Sequence, residues 1–148
     1  MSKTGNLIIL IDKFWESVPV AWRKTRNQIR QIAVEKFQMT EEQFQVLRRI
    51  RKGITSVSTL AEASQTSRSA VSKAVDGLVR MGLVSRNPNP EDRRYIPLSL
   101  TEDGQRVMTG IYSEAETWLS TRFGNLTDEE LEITLLGMEN IRKAFSTP

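Results

Sequence analysis

A chain of 148 residues with 39% apolar content is long enough for one compact domain with its own core and some apolar surface left for subunit contact. It contains neither cysteine nor histidine, which excludes disulfides, thiol redox sensing, thiolate or imidazole metal ligation and every catalytic scheme that needs either residue. The net charge of +3 is unevenly placed: residues 1–43 carry 7 basic and 5 acidic groups, residues 44–94 carry 10 and 4, and residues 95–148 carry 4 and 9.

Two readings fit the basic middle, a module that meets a polyanion and a merely solvated basic face. No run of about 18 apolar residues is present, and the apolar stretch at residues 7–11 is too short for a secretory core. The expectation is a soluble, cytoplasmic protein.

Residues 7–37 read as helix, with Trp15, Val18, Trp22, Ile29 and Ile32 close to one stripe. Pro19 lies in the interior of this segment, so a break or kink near Ser17 and a fresh helix from Pro19 are expected. Thr40 followed by Gln43 has the form of a capping box, opening a helix with Phe44, Leu47 and Ile50 on one face that stops at Gly53. After a short extended link, Ser58 is expected to cap a brief helix carrying Leu60 and Ala61 inward. The next helix repeats Ala70, Val71, Ala74, Val75, Leu78 and Val79 at buried spacing and turns Arg68, Ser69, Ser72, Lys73 and Asp76 outward. Two short helices joined by a tight turn, the second small inside and hydrogen-bonding outside, make a helix-turn-helix.

Gly82 ends that helix. Residues 83–86 then read as a strand, Asn87-Pro88-Asn89-Pro90 as a turn and residues 94–100 as the returning strand. A hairpin in this position is a wing, and its tip carries Glu91, Asp92, Arg93 and Arg94. Thr101 is expected to cap a helix running to about Phe123, and Thr127 with Glu130 to box the start of a last helix whose one side bears Leu131, Leu135, Met138, Ile141 and Phe145. The apolar faces of the first helix and of the last two, the one from Thr101 to Phe123 included, exceed what a small winged core can cover, which predicts a second copy of the chain against them. The fold class expected is therefore mostly α (α+β). Within a single 1–148 domain, residues 40–100 form the winged helix-turn-helix, and 1–37 with 101–148 form a helical dimerisation region.

Residues 40–104 resemble the MarR family of winged-helix regulators, named for multiple antibiotic resistance. The likeness rests on MTEEQFQVLRRI, on LAEASQTSRSAVSKAVDGLVRMGLVSR across the helix-turn-helix, and on EDRRYIPLSLTEDG from the wing into the next helix. It implies a homodimeric transcriptional regulator, a repressor or sometimes an activator, that sits on a palindromic double-stranded operator and is often released by a small molecule. Carried onto this chain, the resemblance turns Ser67, Arg68, Ser69, Ser72 and Lys73 to the major groove, with Arg68 reading guanine. It places Arg94 in the minor groove, Asp92 beside an arginine that it orients, and Arg93 on phosphate or in solvent. For each of these serines the alternative is a helix cap, plausible above all at Ser67, or a solvated position, and for the wing residues a surface ion pair. The cluster Arg48-Arg49-Ile50-Arg51-Lys52 either extends the phosphate-facing surface or complements a helix dipole.

The resemblance also implies an effector pocket, where Phe14, Trp15 and Trp22 would line the wall and Arg23 and Arg26 would pair with an aromatic carboxylate. The competing reading gives the aromatics to the core or interface and the arginines to solvent. No cofactor and no metal are expected, since the acidic residues show no clustered ligand pattern. An enzyme is not expected, because no nucleophile-and-base grouping or phosphate loop is visible. A winged helix that binds protein, or a DNA-binding protein without any effector, are the remaining alternatives.

Overall fold

The computed structural model describes residues 2–92 and 94–146. Among them lie α1 (Lys3–Phe37), α2 (Glu41–Arg51), α3 (Val57–Ser64), α4 (Arg68–Arg80), β1 (Val84–Arg86), β2 (Leu98–Leu100), α5 (Glu102–Phe123) and α6 (Asp128–Ser146). The mostly helical class with one small antiparallel sheet is as expected. The chain divides into two compact units, the first ending at Ala115 and the second beginning at Glu116, within α5.

Local capping chemistry sets most element boundaries. At α2 both halves of the box form: Thr40 Oγ1 accepts from the Gln43 amide at 3.1 Å, and Gln43 Oε1 accepts from the Thr40 amide at 3.0 Å. For α3 the cap is Ser56, not Ser58. The Ser56 hydroxyl accepts from the Thr59 amide at 3.1 Å, so the helix starts at Val57 and takes Ser58 into its first turn. Both serines have the right chemistry, and the extended backbone of Ser56 decides between them.

The expected break at Pro19 does not occur. One helix begins at Lys3, capped by Ser2, and runs through Pro19 to Phe37. Proline removes the one hydrogen bond that its amide would give the Trp15 carbonyl. Ending the helix there would instead orphan up to four carbonyls and four amides, so continuing is the cheaper outcome.

The core of the first unit lies between α2, α3, α4 and the sheet. Leu47, Leu60, Val71, Val75, Leu78 and Leu98 are fully buried there, joined by Ile32 and Ala33 of α1 and Met108 and Ile111 of α5. Each fully buried leucine contributes about 1.5–3 kcal/mol through burial alone. Helix α4 follows the predicted division, with Val71, Ala74, Val75, Gly77 and Leu78 inward.

Gly82, at φ 75°, turns the chain out of α4 in a conformation costly for other residues. Val84 then pairs with Leu100, Ser85 with Ser99 and Arg86 with Leu98. The second strand is shorter than the seven-residue strand expected from position 94, because the ladder does not extend beyond Pro97, which has no amide to donate. At the start of α5, the Thr101 amide donates to the Leu83 carbonyl at 3.0 Å, and Thr101 Oγ1 accepts from the Gly104 amide at 3.0 Å. Gly104 is needed at this corner, since a Cβ there would collide with the Leu83 carbonyl oxygen.

In the second unit, the Gly124 amide closes α5 on the Ser120 carbonyl at 2.8 Å. The predicted box opens α6: the Thr127 amide donates to Glu130 Oε2 at 2.8 Å, and the Glu130 amide to Thr127 Oγ1 at 3.2 Å. No residue of α6 is buried, and Ile133, Leu135 and Leu136 are each 63% exposed.

Candidate functional site

The outward face of α4 gathers the helix residues singled out in the sequence. Ser67 is the cap of α4, its Oγ accepting from the Ala70 amide at 3.0 Å. The capping alternative is therefore realised, and the hydroxyl proton still has a donor role available. Arg68, Ser69 and Lys73 are exposed and Ser72 is half-buried; Ser69 and Lys73 lie on the side away from Val71 and Val75, while Arg68 is exposed as the first residue of the helix. Among the described residues neither Arg68 nor Lys73 is in an ion pair. The first turn of α4 has no acidic side chain, so its free amides and the positive end of the helix dipole add to this charge. Asp76, the one acid on this face, is bound by Arg86 of β1. That pair joins the helix to the first wing strand and offsets the negative charge.

The wing loop is shaped by short acceptors. Asp92 Oδ1 accepts from the Arg94 amide at 3.0 Å, and the Asp92 carbonyl accepts from the Tyr95 amide at 3.3 Å. Asp92 thus holds Arg94 through its backbone amide. Arg94 is exposed. Arg93, expected on phosphate or in solvent, lies outside the described residues. Tyr95, which the sequence reading passed over, places its hydroxyl 2.7 Å from Thr55 Oγ1, and the Leu98 amide donates to the Thr55 carbonyl at 2.8 Å.

The arginine cluster at the end of α2 is engaged in the fold. Arg49 donates to Ser64 Oγ at 2.6 Å and to the Ala63 carbonyl at 3.3 Å, serving the carbonyl end of α3. Burial, then the neighbouring Arg48 charge, pushes Arg49 down from its ordinary value. Arg48 donates to Gln45 Oε1 at 3.1 Å, and Arg51 lies 5.3 Å from the Tyr112 ring centroid.

Trp22, Arg23 and Arg26 line an open cavity of about 240 Å³ together with Asn27, Arg30 and Gln45. Arg26 sits 5.9 Å from the Trp22 ring centroid. Arg30 is already held by Glu41 at 2.9 Å and Asn27 at 2.7 Å. Phe14 and Trp15 are not part of this lining. Their rings pack edge to face, 5.8 Å apart at 83°, about two turns earlier on α1. Among the described residues no group of three or more carboxylates is placed to hold a metal ion, and no helix is long and apolar enough to cross a membrane.

Comparison with known proteins gives a consistent answer. Residues 39–96 match the model of the MarR family. The HTH-type transcriptional repressor MdtR of Bacillus subtilis is 33% identical over 100 residues, a match covering 67% of this chain and 64% of MdtR's own length. The structure of the transcriptional regulator Tm0710 from Thermotoga maritima superposes with a TM-score of 0.81 at 21% identity, over 93% of this chain and 99% of that one. A variant of S. aureus MepR bound to an oligodeoxyribonucleotide superposes with a TM-score of 0.66 at 20% identity, over 99% and 100%. The last two establish the fold.

Proposed function

Residues 39–96 are a MarR family domain, and on that premise we propose that the chain is a sequence-specific, double-stranded DNA-binding transcriptional regulator, a repressor and not an enzyme. In this reading, residues 40–100 are the DNA-binding region and residues 1–37 with 101–148 the dimerisation region. The observation that carries it is the outward face of α4. Among the described residues Arg68 and Lys73 of this helix are exposed without acidic partners, the single acid Asp76 is already bound by Arg86, and Arg94 is exposed on the wing loop. Such a surface suits phosphates and guanine edges, while the serines of α4 supply hydroxyls for the same groove.

Dimerisation is supported by apolar side chains that a solvated monomer would leave wet. On α1, Leu10 is 61% and Trp15 68% exposed, and α6 buries none of its residues. A two-fold dimer presents two copies of α4, which sets half-sites of an inverted repeat about 10 bp apart or slightly more. The cavity at Trp22, Arg23 and Arg26 suits a small aromatic anion, with a ring for stacking and two guanidinium groups for a carboxylate. An effector of this kind would weaken DNA binding through a coupling of about 1–3 kcal/mol.

The test is a fluorescence-anisotropy titration of the intergenic DNA upstream of the protein's own gene against a scrambled duplex, over a salt series. We expect at least about a hundredfold preference for the upstream fragment and a steep fall in affinity with salt, as counterion release requires. Equal affinity for both duplexes would contradict sequence-specific regulation at this locus, and absence of binding at low salt would favour a protein-binding winged helix. Benzoate added to the bound complex should release the DNA. Unchanged anisotropy at high benzoate would remove the aromatic anion from the proposal.

A further inference from the structure

Among the described residues the loop of the wing is held to the body of the fold at fewer points than its strands, which bond through Arg86 to Asp76 and through the Leu98 amide to the Thr55 carbonyl. Its strands pair over only three residues each, and beyond them the Asn87 amide reaches the Pro97 carbonyl at 2.9 Å. Among the described residues within 88–96 the remaining hydrogen bonds are internal to the loop: Asn89 Oδ1 with the Glu91 amide, and Asp92 with the Arg94 and Tyr95 amides. Among the described residues, one hydrogen bond leaves this segment, between the Tyr95 and Thr55 hydroxyls at 2.7 Å. Thr55 immediately precedes Ser56, the cap of α3, and its carbonyl also accepts from Leu98. The Tyr95 side chain therefore bridges the wing loop to the start of the helix-turn-helix.

From this geometry we infer that Tyr95 and Thr55 form a strut that positions Arg94. The inference rests on the DNA-binding reading above and adds two positioning residues to it. Arg94 adjoins Tyr95 in sequence, and the amides of both are gathered by Asp92. Anchoring the Tyr95 ring at its hydroxyl fixes the direction in which the loop leaves the body, and with it the point at which the Arg94 guanidinium meets DNA. Tyr95 is 43% exposed, so its ring contributes little to the core. Removing only the hydroxyl should free the loop without unfolding the domain.

A double-mutant cycle on operator affinity tests the strut, measured by anisotropy on the upstream duplex at one fixed salt concentration. Tyr95→Phe is expected to weaken binding about three- to tenfold, with the melting temperature and the dimer unchanged. Thr55→Val should do the same, and Thr55→Ser, which keeps the hydroxyl, should bind like the parent protein. In an Arg94→Ala background, itself at least about tenfold weaker, Tyr95→Phe should have no further effect, because the residue through which it acts is gone. If Arg94→Ala weakens binding while Tyr95→Phe is silent, or if the two losses add in full, the strut is overturned and the DNA-binding reading stands. If Arg94→Ala leaves affinity unchanged, the wing's part in that reading fails and the strut fails with it.

Discussion

Arg68 and Arg94 occupy different mechanical settings. Arg68 begins α4, directly after the Ser67 cap, so its backbone is held by a helix whose other face is core. Arg94 rides on a loop bonded mainly to itself. Base reading belongs on the rigid element and minor-groove insertion tolerates the softer one. Arg68→Ala is expected to cost about 1–3 kcal/mol of operator affinity and to relax preference at one base position per half-site. Arg68→Lys should not restore that preference, since an ammonium lacks the two-pronged geometry. A binding series over duplexes varied at each position checks both, and a uniform loss across all sequences would reduce Arg68 to a phosphate contact. The exposure of Ser69 and Lys73 was legible because the helical period sets them opposite Val71 and Val75, whereas Arg68 is exposed by its place in the first turn. Asp76 with Arg86, and Thr55 with Tyr95, were not. Each pair joins separate elements across ten and forty positions, and nothing local marks either partner.

Caps and boxes were the most legible features at the level of elements, because donor and acceptor lie three residues apart. The boxes at Thr40 and Thr127 both form as the sequence suggested. The misreadings arose where local rules compete. At Pro19 one lost bond weighed less than two new helix ends, and at Ser56 and Ser58 two suitable caps lay within one turn. The wing strand was overestimated because reading residues 94–100 as the returning strand takes no account of the missing amide at Pro97. The glycines of α4 and α5 give a sharp test of how closely elements approach. Gly104→Ala drives a methyl against the fixed Leu83 carbonyl and should destabilise by about 1–3 kcal/mol in urea unfolding. Gly77→Ala meets the movable Gln43 amide group instead and should cost less, since a side chain can yield where backbone cannot. Equal costs would mean that the α5 corner is not as tightly packed as its geometry requires.

For the whole molecule, charge and apolar surface point to two partners of different kinds. The basic residues concentrate in positions 44–94, while positions 95–148 are acidic overall, a distribution that suits a polyanion at the winged module. The exposed apolar side chains of α1 and of α6 instead suit a second copy of the chain. Outside the winged module, pairs such as Glu139 with Arg142 are surface features: hydrogen bonding to Arg142 holds the Glu139 carboxyl below its ordinary range. Its small contribution is therefore complete at neutral pH and fades only on acidification through that lowered value. With no histidine or cysteine, the chain also lacks the side chains whose ordinary titration would make DNA binding vary near neutrality.

The central claim is that two copies of α4 and its wing read one palindrome. Selection of bound duplexes from a random-sequence pool by the full-length protein tests it most directly. Enrichment of an inverted repeat with half-site centres about 10 bp apart, or slightly more, is expected. A pool that remains unenriched after repeated rounds, although the protein binds DNA, would contradict sequence-specific recognition, and enrichment of a single unrepeated site would contradict the dimer.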